Sequence, residues 1–290
     1  MFDFRYHIAS LAAVFLALVL GILIGVAISG RGFVDKSERR VLDRQIRELT
    51  QQRDAANAVV NQLQRSQQVS EDFIGAAYPV LMKDRLRGKR IAVLVIGSSG
   101  GETGSTVGDA LEAAGATQLR YRALKVPVDV KTIRDALGSR PGLRAFAGER
   151  QLDDLGHELA IELVSGGKTP VWDALQTTMV EQQRGGLDAP ADGLVLIRAV
   201  KPQQGPTSSF LRGIYEGLAT SGVPAVGAEI TDSEPSAVPP WKIAHLSSVD
   251  DVDTTQGRLA LALLLDGATR GHFGIKKTAQ DVLPPIEPTG

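Results

Sequence analysis

Residues 90–106, RIAVLVIGSSGGETGST, pass from an unbroken apolar run into a glycine-rich turn and then into a helix start. A strand that is apolar at every position has two faces to bury, as a central strand of a parallel sheet does when helices cover both sides. The residues downstream repeat the scheme. A helical stretch at Thr103–Ala114 leads to QLRYRAL (118–124), and GLVLIRAV (193–200) leads to a helix near Ser208–Thr220. VPAVGA (223–228), KIAHLS (242–247) and the apolar helix TTQGRLALALLLDGA (254–268) follow. Strands separated by helices need crossovers, which predicts an α/β fold with a Rossmann-like, mainly parallel sheet over residues 79–275. Residues 276–290 then form a Pro-containing C-terminal tail.

The turn after the first strand sits where phosphate-binding loops lie, but it fits neither common loop pattern. A Walker loop needs a Lys before its last Ser or Thr, and Glu102 and Thr103 stand near that place; a dinucleotide loop needs GxGxxG, and Ser99 spoils the alignment ending at Gly104. Gly97-x-Ser99-x-Gly101 does have the spacing of a nucleophile elbow. With Asp250 as the acid and His245 or His272 as the base it would supply the residue types of an α/β hydrolase, and with His272 also that fold's chain order Ser, Asp, His. That fold also needs strands and an oxyanion loop ahead of the elbow, and other segments stand there, so a flexible strand-to-helix connection is the better description and no catalytic residue is assigned.

Asp250, Asp251 and Asp253 precede the last helix. Such a cluster is read first as helix capping and dipole compensation, and second as a hard-cation site. Ligands for soft metals are scarce. There is no Cys, Met82 and Met179 are far apart, and His7, His157, His245 and His272 form no HxH or HxxxH pair, so no local copper site and no cofactor site is visible. His157 falls in an amphipathic helix, where a solvated or satisfied imidazole is the default.

Upstream of the sheet, Ile8–Ile28 carries no charge and as a helix reaches roughly 31 Å, the thickness of a hydrocarbon core. A secretory signal has a shorter apolar region, about 7–15 residues, and the one candidate cleavage site is Ala27-Ile28-Ser29 before Gly30, so residues 1–32 are read as a retained transmembrane anchor. Ala9, Ala13, Ala17, Gly21, Gly25 and Ser29 recur at every fourth position, a small-residue stripe that lets a second helix approach closely in lipid. Arg5 on one side faces Arg31, Lys36, Arg39, Arg40 and Arg44 on the other, which taken alone keeps the body of the chain in the cytoplasm; the rule weakens for long following domains. The lack of Cys fits an oxidising exterior without proving it.

Residues 33–78 read as a long helical stalk: Asp35 and Glu38 have capping-box spacing, and Pro79 is the expected stop. Leu42, Ile46, Leu49, Ala56, Val60 and Leu63 keep alternating three- and four-residue steps, continued by Ile74 and Ala77, with Arg53, Gln67 and Ser70 in the missing core places. This is an interrupted heptad, a seam for a marginal coiled coil with a second copy or another chain. The local basic excess beside the anchor suits anionic headgroups or a solvated helix flank equally. With 43% hydrophobic residues and a net charge of −1, the chain as a whole has the balance of neither a disordered protein nor a nucleic-acid binder.

Two stretches carry a family resemblance. MFDFRYHIASLAAVFLALVLGILIG at the start, and VDDVDTTQGRLALALLL followed by GHFG at 271–274, are similar to the two ends of the actinobacterial MctB-like proteins, a family named for copper transport. Asp253, Gly257 and His272 match its C-terminal pattern, in which no role is attached to them. The resemblance implies an envelope protein with one N-terminal span and its domain outside the cytoplasm, acting in copper homeostasis as a channel or accessory. It also implies an alternative, a cell-separation scaffold that binds a membrane partner upstream of peptidoglycan hydrolases. Apolar strands interleaved with helices argue against an outer-membrane barrel, and one span makes a pore only in an oligomer.

Overall fold

The computed structural model describes residues 4–29, 35–97 and 101–286. The chain divides into two compact units, Met1–Glu71 and Asp72–Gly290. The first unit holds helix α1 (Phe4–Ser29) and most of helix α2 (Asp35–Met82). The side chains of Ser29, Asp35 and Glu38, and with them the capping box, lie outside the described residues.

The apolar side chains of α1 and the seam residues of α2 face outward: Leu49 is 64% and Leu63 67% exposed. The polar residues of the seam are satisfied along the helix. Arg53 Nε and Nη2 donate to Asp54, Gln67 Nε2 donates to Glu71, and Ser70 Oγ donates to the Ser66 carbonyl. The helix does not stop at Pro79. Proline removes the hydrogen bond to the Gly75 carbonyl and crowds that carbonyl on an exposed face, and the turn beyond it delivers Met82 into a core.

The second unit is a seven-stranded sheet in the order β3-β2-β1-β4-β5-β6-β7. Its strands are β1 (Arg90–Ile96), β2 (Thr117–Leu124), β3 (Val180–Arg184), β4 (Gly193–Arg198), β5 (Ala225–Ala228), β6 (Ser247–Val249) and β7 (His272–Phe273). Every pairing is parallel except β2 with β3. The first six strands take the doubly wound order 3-2-1-4-5-6, with β3 antiparallel at one edge and β7 added at the other. Helices α3 (Glu102–Ala113), α4 (Val130–Gly138), α5 (Leu152–Ser165), α6 (Pro170–Met179), α7 (Gly205–Thr220), α8 (Val238–Ile243) and α9 (Thr255–Asp266) complete it.

Alternation along β1 feeds two separate cores. Ala92, Leu94 and Ile96 join the cluster with α5, α6 and α7, while Ile91, Val93 and Val95 join the one with α3 and α9. Helices α5 and α7 meet at backbone distance: a Cβ on Gly213 would stand 1.9 Å from the Asp153 carbonyl oxygen, so only glycine permits that approach. Glu162, 3% exposed, accepts the Val171 and Trp172 amides and so caps the start of α6.

Two segments differ from expectation. Lys242 and Ile243 of KIAHLS close the short helix α8, whose first turn holds Pro239 and Pro240, and the strand starts only at Ser247. Residues 276–286 fold back on the domain: Phe273 bridges Asp281, Gln280 N donates to the His272 carbonyl, and Leu283 packs against the core of α3 and α9.

Candidate functional site

A dense polar construction lies at the C-terminal ends of β5, β6 and β7, where the strands stop and backbone groups need partners. Glu229 follows β5 and is 4% exposed. Its carboxylate accepts from Ser236 Oγ at 2.7 Å, the Ala237 amide at 2.6 Å and Lys276 Nζ at 2.8 Å. Lys276 Nζ also donates to the Ile230 and Ser233 carbonyls, so the cation spans the crevice between two loops.

Asp250, at the end of β6, accepts from the Ile275 and Lys276 amides at 2.9 and 3.2 Å and from Thr278 Oγ1. Asp253 accepts from the Thr231 amide and hydroxyl. These two acids are therefore clamps on neighbouring loops rather than helix caps: the cap of α9 is Thr254, whose hydroxyl accepts from the Gly257 amide at 3.0 Å.

Asp251 is different. It is 0% exposed, its Oδ2 accepts from Thr254 Oγ1 at 3.0 Å, and its Oδ1 has no partner. Burial, seconded by the Asp250 and Asp253 carboxylates, pushes its pKa up to about 6. The motif glycines explain how it fits. A Cβ on Gly257 would stand 2.0 Å from the Asp251 carbonyl oxygen, and one on Gly274, at φ +134°, would stand 2.0 Å from Asp250 Oδ1 and 2.9 Å from Asp251 Oδ1.

His272 Nδ1 lies 2.9 Å from Ser248 Oγ, and burial, with Lys242 nearby, lowers its pKa. The proposed order Ser, Asp, His is not assembled among the described residues: Asp250 holds the 275–278 segment, His272 faces Ser248, and His245 precedes β6 at its other end. Ser99 lies outside the described residues. Glu229, Lys276, Thr278 and Gln280 escaped the sequence reading. A charged residue directly after the apolar β5 and a Lys two places after GHFG were the available signals.

Among the described residues no group of three or more His, Cys, Asp or Glu is placed to hold a metal ion. Met82 and Met179 are 1% and 5% exposed and belong to the two different cores. His157 Nε2 is 3.3 Å from Thr220 Oγ1.

A family model described as copper transport outer membrane protein, MctB, matches residues 1–284. The chain belongs to the MctB family. Relatives called copper transporter MctB, from Mycobacterium bovis and Mycobacterium tuberculosis, are each 27% identical over 320 residues, covering 97% of this chain and 99% of theirs. Within this MctB-family chain, Asp253, Gly257 and His272 share one construction: Asp253 ties down the loop after β5, Gly257 makes room for the Asp251 backbone, and His272 pairs β7 with β6. The construction anchors the C-terminal segment. Among the described residues most of the exposed large apolar side chains belong to α1 and α2, and Tyr6–Ile28 is long and apolar enough to cross a membrane.

Proposed function

We propose that this chain is a membrane-anchored envelope protein that acts in copper homeostasis as an assembly of several chains, with its α/β domain outside the cytoplasm. The observation that carries this reading is the family match over residues 1–284, which takes in the apolar helix and the sheet domain together. The relatives' name, copper transporter, supplies the cargo. Helix α1 supplies the anchor, and the stripe Ala9, Ala13, Ala17, Gly21, Gly25 and Ser29 supplies a surface for helix pairing in lipid. The exposed seam of α2 supplies a second one in water.

Assembly is part of the proposal for a physical reason. One apolar span encloses no pore, and among the described residues Met82 and Met179 are buried in different cores. Any copper path is then built by several copies or with a partner, and the chain itself works without a catalytic centre. The same exposed seam favours a second reading, a cell-separation scaffold that recruits a membrane partner upstream of peptidoglycan hydrolases.

Cell-associated copper under copper load, measured in a strain lacking the gene and in the same strain with the gene restored, tests the proposal. The first reading expects copper to rise on deletion and fall on restoration. Unchanged copper together with chained, unseparated cells would replace it with the second.

A further inference from the structure

At the opposite end of the sheet from the carboxylate clamps, a cavity of about 360 Å³ opens beside the starts of β5 and β6. Its size is at the lower end of the range for small-molecule sites. The buried side chains of Leu218, Val226, Leu246 and Leu264 contribute to its lining, and Arg270 and His245, both exposed, belong to its rim. We infer that this cavity is a binding site for a small aromatic or branched carboxylate, with the apolar body inside and the carboxylate on Arg270 and His245.

Three features carry the assignment. No acidic residue contributes to the lining, and Arg270 supplies its only fixed charge. The guanidinium makes one long bond, 3.5 Å from Nη1 to the Ala219 carbonyl, which leaves most of its planar fork for a bidentate acceptor. The helix ends that border the cavity do not compete for it. Their carbonyls are already met by backbone donors, Ser221 N to Leu218, Gly267 N to Leu264 and Ala268 N to Leu263, and Asp266 lies 3.7 Å from Arg85.

The third feature is His245 itself. It stands at φ 58° in the left-handed region, where the Leu246 amide bonds the Trp241 carbonyl and the His245 amide bonds that of Lys242. That closure of α8 is ordinarily made by glycine, which takes the conformation without strain. An imidazole held there at a conformational cost, on the rim of the cavity, is explained by what the ring does. It adds a second donor for an anion beside Arg270.

The full chain in neutral-lipid nanodiscs, with empty nanodiscs subtracted, is titrated with fluorescent 2-naphthoate and with its neutral isostere 2-naphthamide. Saturable binding of the acid, at about one per chain and about fivefold tighter than the amide, is the expected result. Arg270→Gln removes the preference for the acid. His245→Gly weakens binding while leaving the thermal unfolding midpoint unchanged or higher, which a purely structural His would not do. Equal binding of acid and amide, or binding by both variants like the intact chain, overturns the assignment, as does the absence of saturable binding.

Discussion

Replacing Asp251 by Asn keeps the shape of the side chain and deletes its titration. The native carboxyl is fully buried with Oδ1 unpartnered, so folding favours its protonated form and raises its pKa from 3.8 to about 6. Because the folded value lies above the unfolded one, the stabilisation from that proton is complete below the unfolded pKa and is lost as pH rises through about 6. At 1.36 kcal/mol per pH unit, the gap corresponds to about 3 kcal/mol, of which about 2 kcal/mol falls between pH 4.5 and 8. The neutral amide of the Asp251→Asn variant gives up none of it. The stability difference, variant minus native, should therefore grow by about 2 kcal/mol in favour of the variant from pH 4.5 to pH 8. Trp172 and Trp241 are both buried in the sheet domain and report its unfolding in urea by fluorescence. Taking the difference at each pH cancels the titration of every group that the substitution leaves undisturbed. A difference that is flat with pH, or that grows in the other direction, refutes the reasoning.

Three further outcomes are expected. Gly257→Ala drives a Cβ to 2.0 Å from the Asp251 carbonyl oxygen and should cost about 3 kcal/mol, seen as a lower urea midpoint for the same tryptophan signal. Lys276→Met leaves Glu229 buried without its cation and should cost about 3–5 kcal/mol, much of it recovered in the double variant with Glu229→Gln; additive losses in that cycle would deny the pairing. Ser139 is exposed after α4, and the native chain has no Cys, so Ser139→Cys should react with an impermeant maleimide on intact cells if the sheet domain is outside; reaction only after lysis would put it inside.

The strands that the sequence reveals are those with two faces to bury. RIAVLVI and GLVLIR have almost no exposed position, and they run side by side at the centre of the sheet. The edge strand β3, VEQQR, shows the converse: four of its five residues are exposed, so its pattern resembles a loop. Lys242 and Ile243 misled for a similar reason, since a β-branched residue in a short apolar run fits a strand, yet Ile243 is 76% exposed at the end of a proline-started turn of helix. Pro79 weighs on the helix locally, and the core that receives Met82 and Leu86 is assembled from residues far along the chain.

The candidate site was half legible. Asp250, Asp251 and Asp253 stand out as a cluster, but what Asp250 and Asp253 hold comes from positions roughly 20 to 30 residues away: Thr231, Ile275 and Thr278. Local spacing is compatible with capping, with metal binding and with clamping alike. Only the folded sheet brings the Glu229 and Lys276 side chains together, 47 residues apart.

In the proposed function, copper homeostasis runs through assembly of the chain and not through a site within one copy. The most direct measurement compares cell-associated copper in deletion strains carrying the intact gene or a Leu49→Asp, Leu63→Asp version at matched membrane levels. Both positions are exposed on the α2 seam, so the substitutions spare the sheet domain. The seam variant is expected to accumulate copper like the strain with no gene. Copper restored to the level of the intact gene would contradict it.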